Sequence, residues 1–362
     1  MPSTRRRHFG SVRKLPSGRY QARYWHAGLS RAAPETFKTK SDALSWLSTL
    51  EADLLRGAWV DPSASKVIFA TYAGDWLARQ QHLRPRTVEL YGYLLAQHIL
   101  PAFGAHALGE ISAGGVESWY RALAARRPAT APKAYRLLSQ VMRAAVKDER
   151  VLRNPCSVKG AASEDCKDQA IPTVAEVEAL AGAVPERYRL MVLLAAWCSL
   201  RFGELAALRR DRVDLLHGEI RVIETVTELA SGERFAGPPK TAAGRRTIAI
   251  PPHLKDVIDE HLLELPVAPD ALLFPAPEGG YLQRNNFRSR TWLPALKETG
   301  LRYRFHDLRH SGLTWAAASG ATVAELMHRG GHATSATAMR YQHATKDRDQ
   351  AIATALSKLA SG

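Results

Sequence analysis

The spacing of apolar residues changes character several times along the chain. Over residues 10–25 hydrophobic and polar positions alternate in two stretches around Pro16, Ser17 and Gly18, the period of paired strands joined by a turn. A third strand is predicted near 35–38. Leu44, Leu47, Leu50 and Leu54 then recur at helical spacing. After a polar stretch around Trp59 and Pro62 the helical period dominates, predicting helices at 69–81, 86–98, 113–125 and 131–148, with breaks at Pro85, at 101–104 and at Pro128. A second polar stretch leads to Thr173 and Glu176, spaced as a capping box that starts a helix. Beyond it, 190–200 reads as a buried helix, 219–223 and 247–250 as strands, and helices return from about 285. The expected domains are 1–62, 63–155 and 171–362, with a linker at 156–170. The fold class is multidomain: a small β-sheet-plus-helix N-terminal domain, an all-α bundle, and an α+β, mainly helical C-terminal domain.

Composition narrows the classes. The 362 residues are 46% hydrophobic and 23% charged, which suits packed domains and argues against wholesale disorder. The cysteines, Cys156, Cys166 and Cys198, are odd in number and lack C-x-x-C spacing, so neither a disulfide framework nor a zinc finger is expected, and a reducing cytoplasm fits. The longest apolar run, 190–200, is well short of the roughly 20 residues that span a bilayer, and the basic start has no apolar stretch after it. No membrane partner is expected.

Charge then points to polyanions. The formal excess is +15, and residues 1–40 alone carry ten Lys/Arg against one acid. Residues 71–150 have eleven against six, whereas residues 170–362 have 24 against 21 and are nearly neutral. A concentrated basic head suggests a dedicated polyanion-binding element. Arg13, Arg19 and Arg23 fall among Tyr20, Tyr24 and Trp25, so one sheet face is expected to hold aromatics and the other to offer cations to DNA. Arg84, Arg86 and Arg136 are the corresponding candidates on the bundle, where a solvated helix surface is an equal alternative.

Four short passages in the C-terminal domain carry candidate chemistry: 199–204 with Arg201 and Glu204, 239–241 with Lys240, 306–310 with His306 and Arg309, and 331–341 with His332 and Tyr341. Each alone is weak; order and spacing together resemble the tyrosine recombinases of the phage-integrase family. That family's pattern runs Arg, Lys, His-x-x-Arg, Gly-His, Tyr, and every position is present here. Cys198 and Ser199 stand where many relatives have Thr-Gly. The resemblance implies that Tyr341 is a nucleophile forming a 3′-phosphotyrosyl link, and that Lys240 lies on a β-hairpin. The helical region is similar to core-binding domains and the head to the arm-binding domains of temperate-phage and mobile-element integrases. The implied partners are double-stranded DNA at core and arm attachment sites, a homotetramer on that DNA, and accessory DNA-bending and excision factors.

The chemistry of such a site has its own logic. Attack of a phenol oxygen on a phosphodiester builds negative charge on the non-bridging oxygens, which Arg201 and Arg309 can grip in bidentate fashion. An unperturbed phenol, with a pKa near 10, needs a proton acceptor, for which His306 is the candidate. Lys240 suits protonation of the leaving 5′-oxygen, His332 a hydrogen bond to a phosphate oxygen, and Glu204 the orientation of an arginine or a histidine. No two-metal arrangement of acids and no phosphate-binding G-x-x-x-x-G-K-[ST] loop is present, so neither metal nor other cofactor is expected. His310 and His343 fall outside the pattern and read as structural. Ile352, Leu356 and Leu359 form a helical stripe in the tail, packing in cis or on a neighbouring protomer. The alternatives are a type IB topoisomerase-like enzyme and a catalytically silent DNA-binding protein of the same fold.

Overall fold

The computed structural model describes residues 9–26, 28–56, 64–163 and 170–342, together with 350, 353, 354, 356, 357 and 360. His343 and the tail positions Ile352 and Leu359 lie outside the described residues. Two compact units, residues 1–166 and 167–362, make up the chain.

The first unit begins with an antiparallel sheet in the order β1 (Gly10–Lys14), β2 (Tyr20–His26), β3 (Leu29–Ala32). The β1–β2 turn closes through Gly18 N–H to Leu15 O at 2.9 Å, with Gly18 at φ +80°. Register places Val12 opposite Ala22 and Gly10 opposite Tyr24. Ala22 and Tyr24 are buried against Ala43, Leu47 and Leu50 of α1 (Lys40–Leu55), whose amide of Asp42 is capped by Thr39.

Two expectations change here. The third strand is 29–32, reached by a tight turn at Gly28, and the 35–38 segment contributes only an isolated bridge from Phe37 to Tyr20. Trp25 is not in the packed face: strand alternation puts it on the side of Gln21 and Arg23, and it is 63% exposed. On that outer face Arg13 bonds Gln21 at 3.2 Å. Arg19 is instead tied to the side chain and carbonyl of Thr36 at the sheet's end.

The bundle follows: α2 (Phe69–Ala78), α3 (Pro85–Leu94), a π turn (Leu95–Ile99), α4 (Leu100–Phe103), α5 (Ala113–Arg126) and α6 (Ala131–Lys147). The helix predicted to stop before Pro101 continues through it to Phe103. Proline lacks an N–H and its ring clashes with the carbonyl four residues back, and the wider turn just before it accommodates both. Phe69, Ile99, Leu138 and Met142 are completely buried in the core. The stretch expected as a linker is partly a component of this core: Ala161 is buried and the Val158 amide donates to the Tyr135 hydroxyl at 2.8 Å. Of the candidate bundle cations, Arg84 is exposed at the start of α3, Arg86 pairs with Glu89 at 3.0 Å, and Arg136 donates to Ala162 O at 3.0 Å.

The second unit opens with α7 (Val174–Ala183), and the capping box forms as its sequence predicts. Then come α8 (Glu186–Trp197) and α9 (Phe202–Ala206). β4 (Val213–Asp214) and β5 (Glu219–Val222) follow, with the hairpin β6 (Thr225–Glu228) and β7 (Arg234–Gly237) and then β8 (Arg246–Ala249). One sheet has the order β4-β5-β8 and the hairpin is separate. The chain continues through α10 (Lys255–Leu263), α11 (Arg284–Phe287), α12 (Leu293–Thr299), α13 (Phe305–Ala318), α14 (Val323–Gly330) and α15 (Ser335–Met339). α8 is buried from Leu190 to Ala196, which accounts for its unbroken apolar run, and it ends at Trp197, before residue 200. Among the described residues no helix is long and apolar enough to cross a membrane.

Candidate active site

Four segments of the second unit deliver the candidate residues. The first is the end of α8. Ser199 takes φ +54°, a left-handed conformation that costs a residue with a Cβ about 1–2 kcal/mol. This turn leaves Arg201 at the start of α9 and aims the buried Ser199 carbonyl at Arg309. Glu204, one turn into α9, accepts from the Arg201 guanidinium at 2.8 Å and from the Arg201 amide at 2.9 Å.

Glu204 also receives a guanidinium absent from the sequence-based candidates. Arg246 at the start of β8 grips it with two bonds of 3.0 and 2.9 Å, and its own side chain is 1% exposed. Burial alone would raise the Glu204 carboxyl, but the bonds and charge of Arg246, with Arg201, hold its pKa at about 2. Arg246 further donates to Arg329 O at 2.9 Å and Gly244 O at 3.1 Å, tying β8 to the end of α14. The available signal was strand parity: Arg246 shares its face with the buried Ile248 and Ile250.

The second segment is the turn between β7 and β8. Lys240 is exposed there, three residues past the end of the β6–β7 hairpin rather than on its strands. The turn is compact, since a Cβ on Gly244 would sit 2.3 Å from the Pro239 ring. It also lies against the fourth segment: a Cβ on Gly331 would meet Ala243 O at 3.0 Å.

The third segment, α13, presents His306, Arg309 and His310 from consecutive turns of one helix. Arg309 is 2% exposed and donates to Ser199 O, to Gly330 O and, at 3.1 Å, to His332 Nε2. Three of its five N–H donors are engaged in these bonds. Burial and the neighbouring Arg201 push its pKa down to about 9, which leaves it charged at pH 7. Burial, then His310 and the arginines, lowers His306 to about 4, so this imidazole is neutral at pH 7.

The fourth segment is the end of α14 and the start of α15. Gly331 caps α14 in the left-handed conformation at φ +57°, and its carbonyl accepts from Arg201 at 3.2 Å. His332 follows, mostly buried and lowered to about 4 by burial and by Arg309 and Arg201. Because its Nε2 accepts from Arg309, the proton of the neutral ring sits on Nδ1. α15 then delivers Tyr341, 9% exposed, into a small apolar cluster with Leu313, Leu326 and Ala338. The Tyr341 ring stacks on His332 at 6.1 Å between centroids, with planes 7° apart.

The phenol oxygen of Tyr341 lies 2.7 Å from His310 Nδ1. His306 in turn meets His310 edge to face at 4.9 Å. His310, which reads from sequence as structural, is therefore the histidine hydrogen-bonded to the oxygen of the candidate nucleophile. Its signal in sequence was the i, i+4 spacing from His306, which puts both on one helix face. Burial raises the phenol's pKa, opposed by Arg309, Arg340 and Arg201. Three guanidiniums, the Glu204 carboxylate, neutral imidazoles and a protonated phenol make a cluster suited to an anion that a phenol can attack. Among the described residues no group of three or more His, Cys, Asp or Glu is placed to hold a metal ion.

Comparison with known proteins gives consistent matches along the chain. Residues 8–56 match the phage integrase N-terminal domain, 69–161 the phage integrase central domain, and 172–348 the phage integrase family. A putative prophage phiRv2 integrase of Mycobacterium tuberculosis is 39% identical, with 98% of this chain and 96% of that protein covered. Among solved structures, the Tn1549 transposon integrase in complex with transposon right end DNA superposes with a TM-score of 0.70 at 16% identity, covering 80% of this chain and all of that one. A lambda integrase tetramer bound to a Holliday junction gives 0.58 at 17% identity, covering 90% of this chain and 96% of that one.

Proposed function

Because the chain belongs to the phage integrase family, we propose that it is a site-specific DNA recombinase that cleaves and rejoins strands through a 3′-phosphotyrosyl intermediate at Tyr341. The observation that carries the reading is the continuous contact path Arg309, His332, Tyr341, His310, which alternates between α13 and the stretch that follows α14. Arg201 and Arg309 neutralise the phosphate's non-bridging oxygens as charge accumulates on them, and their remaining N–H groups supply directional donors. His332, whose Nε2 accepts from Arg309 and whose Nδ1 is buried, orients that guanidinium and stacks on the Tyr341 ring. The Tyr341 oxygen attacks phosphorus, a histidine of α13 takes its proton, and Lys240 protonates the departing 5′-oxygen from its exposed turn. The phosphotyrosyl bond stores the phosphodiester's energy, so a second 5′-hydroxyl can reverse the step without ATP. Glu204 positions Arg201 and Arg246.

The substrate is duplex DNA carrying core and arm attachment sites, and the working assembly is a homotetramer in the bacterial cytoplasm, integrating a phage or mobile element and excising it with partner proteins. The solved neighbours' complexes with transposon end DNA and a Holliday junction support this, as does the match of residues 8–56 to an integrase N-terminal domain. That head also favours an integrase over a topoisomerase that acts without a defined site. The test is covalent trapping on a nicked suicide substrate containing an attachment core. The wild-type chain forms a denaturation-resistant protein–DNA adduct and Tyr341→Phe forms none; an adduct of undiminished yield with Tyr341→Phe overturns the reading.

A further inference from the structure

We propose that His310 is the catalytic base, its Nδ1 taking the proton of the Tyr341 hydroxyl as the phenol oxygen attacks phosphorus. The inference rests on Tyr341 as the nucleophile and assigns the proton acceptor within that reading. The carrying observation is the 2.7 Å contact between Nδ1 and the phenol oxygen, short enough for direct transfer. Each ring of the pair has a second histidine packed against it. His306 abuts His310 edge to face at 4.9 Å between centroids, and His332 stacks flat on Tyr341 at 6.1 Å. His310 also follows Arg309 directly, so adjacent residues of α13 supply a phosphate-gripping guanidinium and the acceptor.

Electrostatics favours an imidazole that is neutral before the reaction and charged during it. Burial lowers the His310 pKa, as do Arg309, Arg304 and Arg340, while Asp307 raises it, which favours the neutral ring; with its proton on Nε2, Nδ1 accepts from the phenol hydroxyl. Tyr341 and His306 are titratable groups in contact with it, and His332 interacts with it electrostatically. When the phenol oxygen bonds to phosphorus, its proton acidity rises steeply and transfer to Nδ1 becomes downhill. The new bond is between the Tyr341 oxygen and phosphorus, and the broken one is phosphorus to the 5′-oxygen. The phenol proton moves to His310, and the 5′-oxygen takes a proton from Lys240. An incoming 5′-hydroxyl reverses the cycle, and His310 returns its proton to the tyrosine. The imidazolium formed in between lies beside Asp307, which helps to hold its charge.

Single-turnover cleavage of a suicide substrate by the full chain separates this role from packing. His310→Ala should cleave about 10²- to 10⁴-fold more slowly, the range of a general base, while DNA affinity stays within about two-fold. Free imidazole should restore part of the rate in proportion to its neutral fraction. His310→Asn, whose side-chain oxygen can accept the phenol hydrogen bond in place of Nδ1 but cannot carry the proton, should stay slow. His310→Ala within about three-fold of wild type, full activity of His310→Asn, or imidazole rescue of His306→Ala in place of His310→Ala would overturn the proposal. Tyr341→Phe run alongside keeps the two readings apart: adduct formation by that variant would sink the nucleophile itself, whereas the His310 outcomes bear only on the proton.

Discussion

At the scale of single residues the site is organised around a buried carboxylate. Glu204 joins Arg201, whose side chain is 36% exposed, to Arg246, whose side chain is 1% exposed. Removing it leaves Arg246 charged and buried, so Glu204→Ala should cost about 3–5 kcal/mol in urea unfolding, and Glu204→Gln less because the amide oxygen still accepts. The same group predicts an acid limb of stability. Its folded pKa of about 2 lies below its ordinary 4.5, so its contribution is complete above about 4.5 and disappears as pH falls through 2. The difference corresponds to about 3 kcal/mol, and Glu204→Gln should flatten stability against pH within that window; an unchanged slope would mean the carboxylate is not ionically held. Glu204 stood out in sequence through its place after Arg201. Arg246 did not, because an arginine opening a strand looks like any solvated one until its partner, 42 positions away, is known.

At the scale of elements, α13 must approach α8 closely for Arg309 to reach the Ser199 carbonyl. Gly312 permits this: a Cβ there would lie 1.8 Å from Ala196 O, a backbone atom that cannot move aside alone. Gly312→Ala should therefore push α13 away from α8, lowering stability by at least about 2 kcal/mol and slowing DNA cleavage more than it weakens DNA binding. Thermal unfolding with single-turnover cleavage checks this, and wild-type values in both would refute the tight approach. Helix periods were legible wherever one face was apolar, as in α1 and α6. Three features escaped. β3 is a four-residue strand with only a partly buried Arg31 among exposed positions, so it has no alternation to detect. The π turn before Pro101 lets a helix survive a residue that normally ends one. Trp25 is a large aromatic whose strand parity, not its hydrophobicity, decides its face.

At the scale of the whole molecule, charge and chemistry are divided. The excess in residues 1–40 belongs to a different part of the chain from the nearly balanced segment 170–362 that holds the candidate chemistry. Deleting residues 1–62 should weaken arm-site binding and reduce its salt dependence, by about 0.9 in logarithmic slope for each phosphate no longer neutralised, while core-site cleavage persists. Titrating both site types against salt measures it, and an unaltered slope would remove the head from DNA recognition. Sequence alone determined the order of domains, the period of most helices and the identity of Arg201, Lys240, His306, Arg309, His332 and Tyr341 as candidates, because these depend on local spacing and on residue types whose chemistry is intrinsic. Tertiary structure alone decided that Arg246 completes the Glu204 cluster, that Arg309 is gripped by two backbone carbonyls, and that the phenol of Tyr341 meets His310. Those contacts join positions from 21 to 110 residues apart, and only the packing of α9 against β8, and of α13 against the ends of α8, α14 and α15, brings their atoms within bonding range.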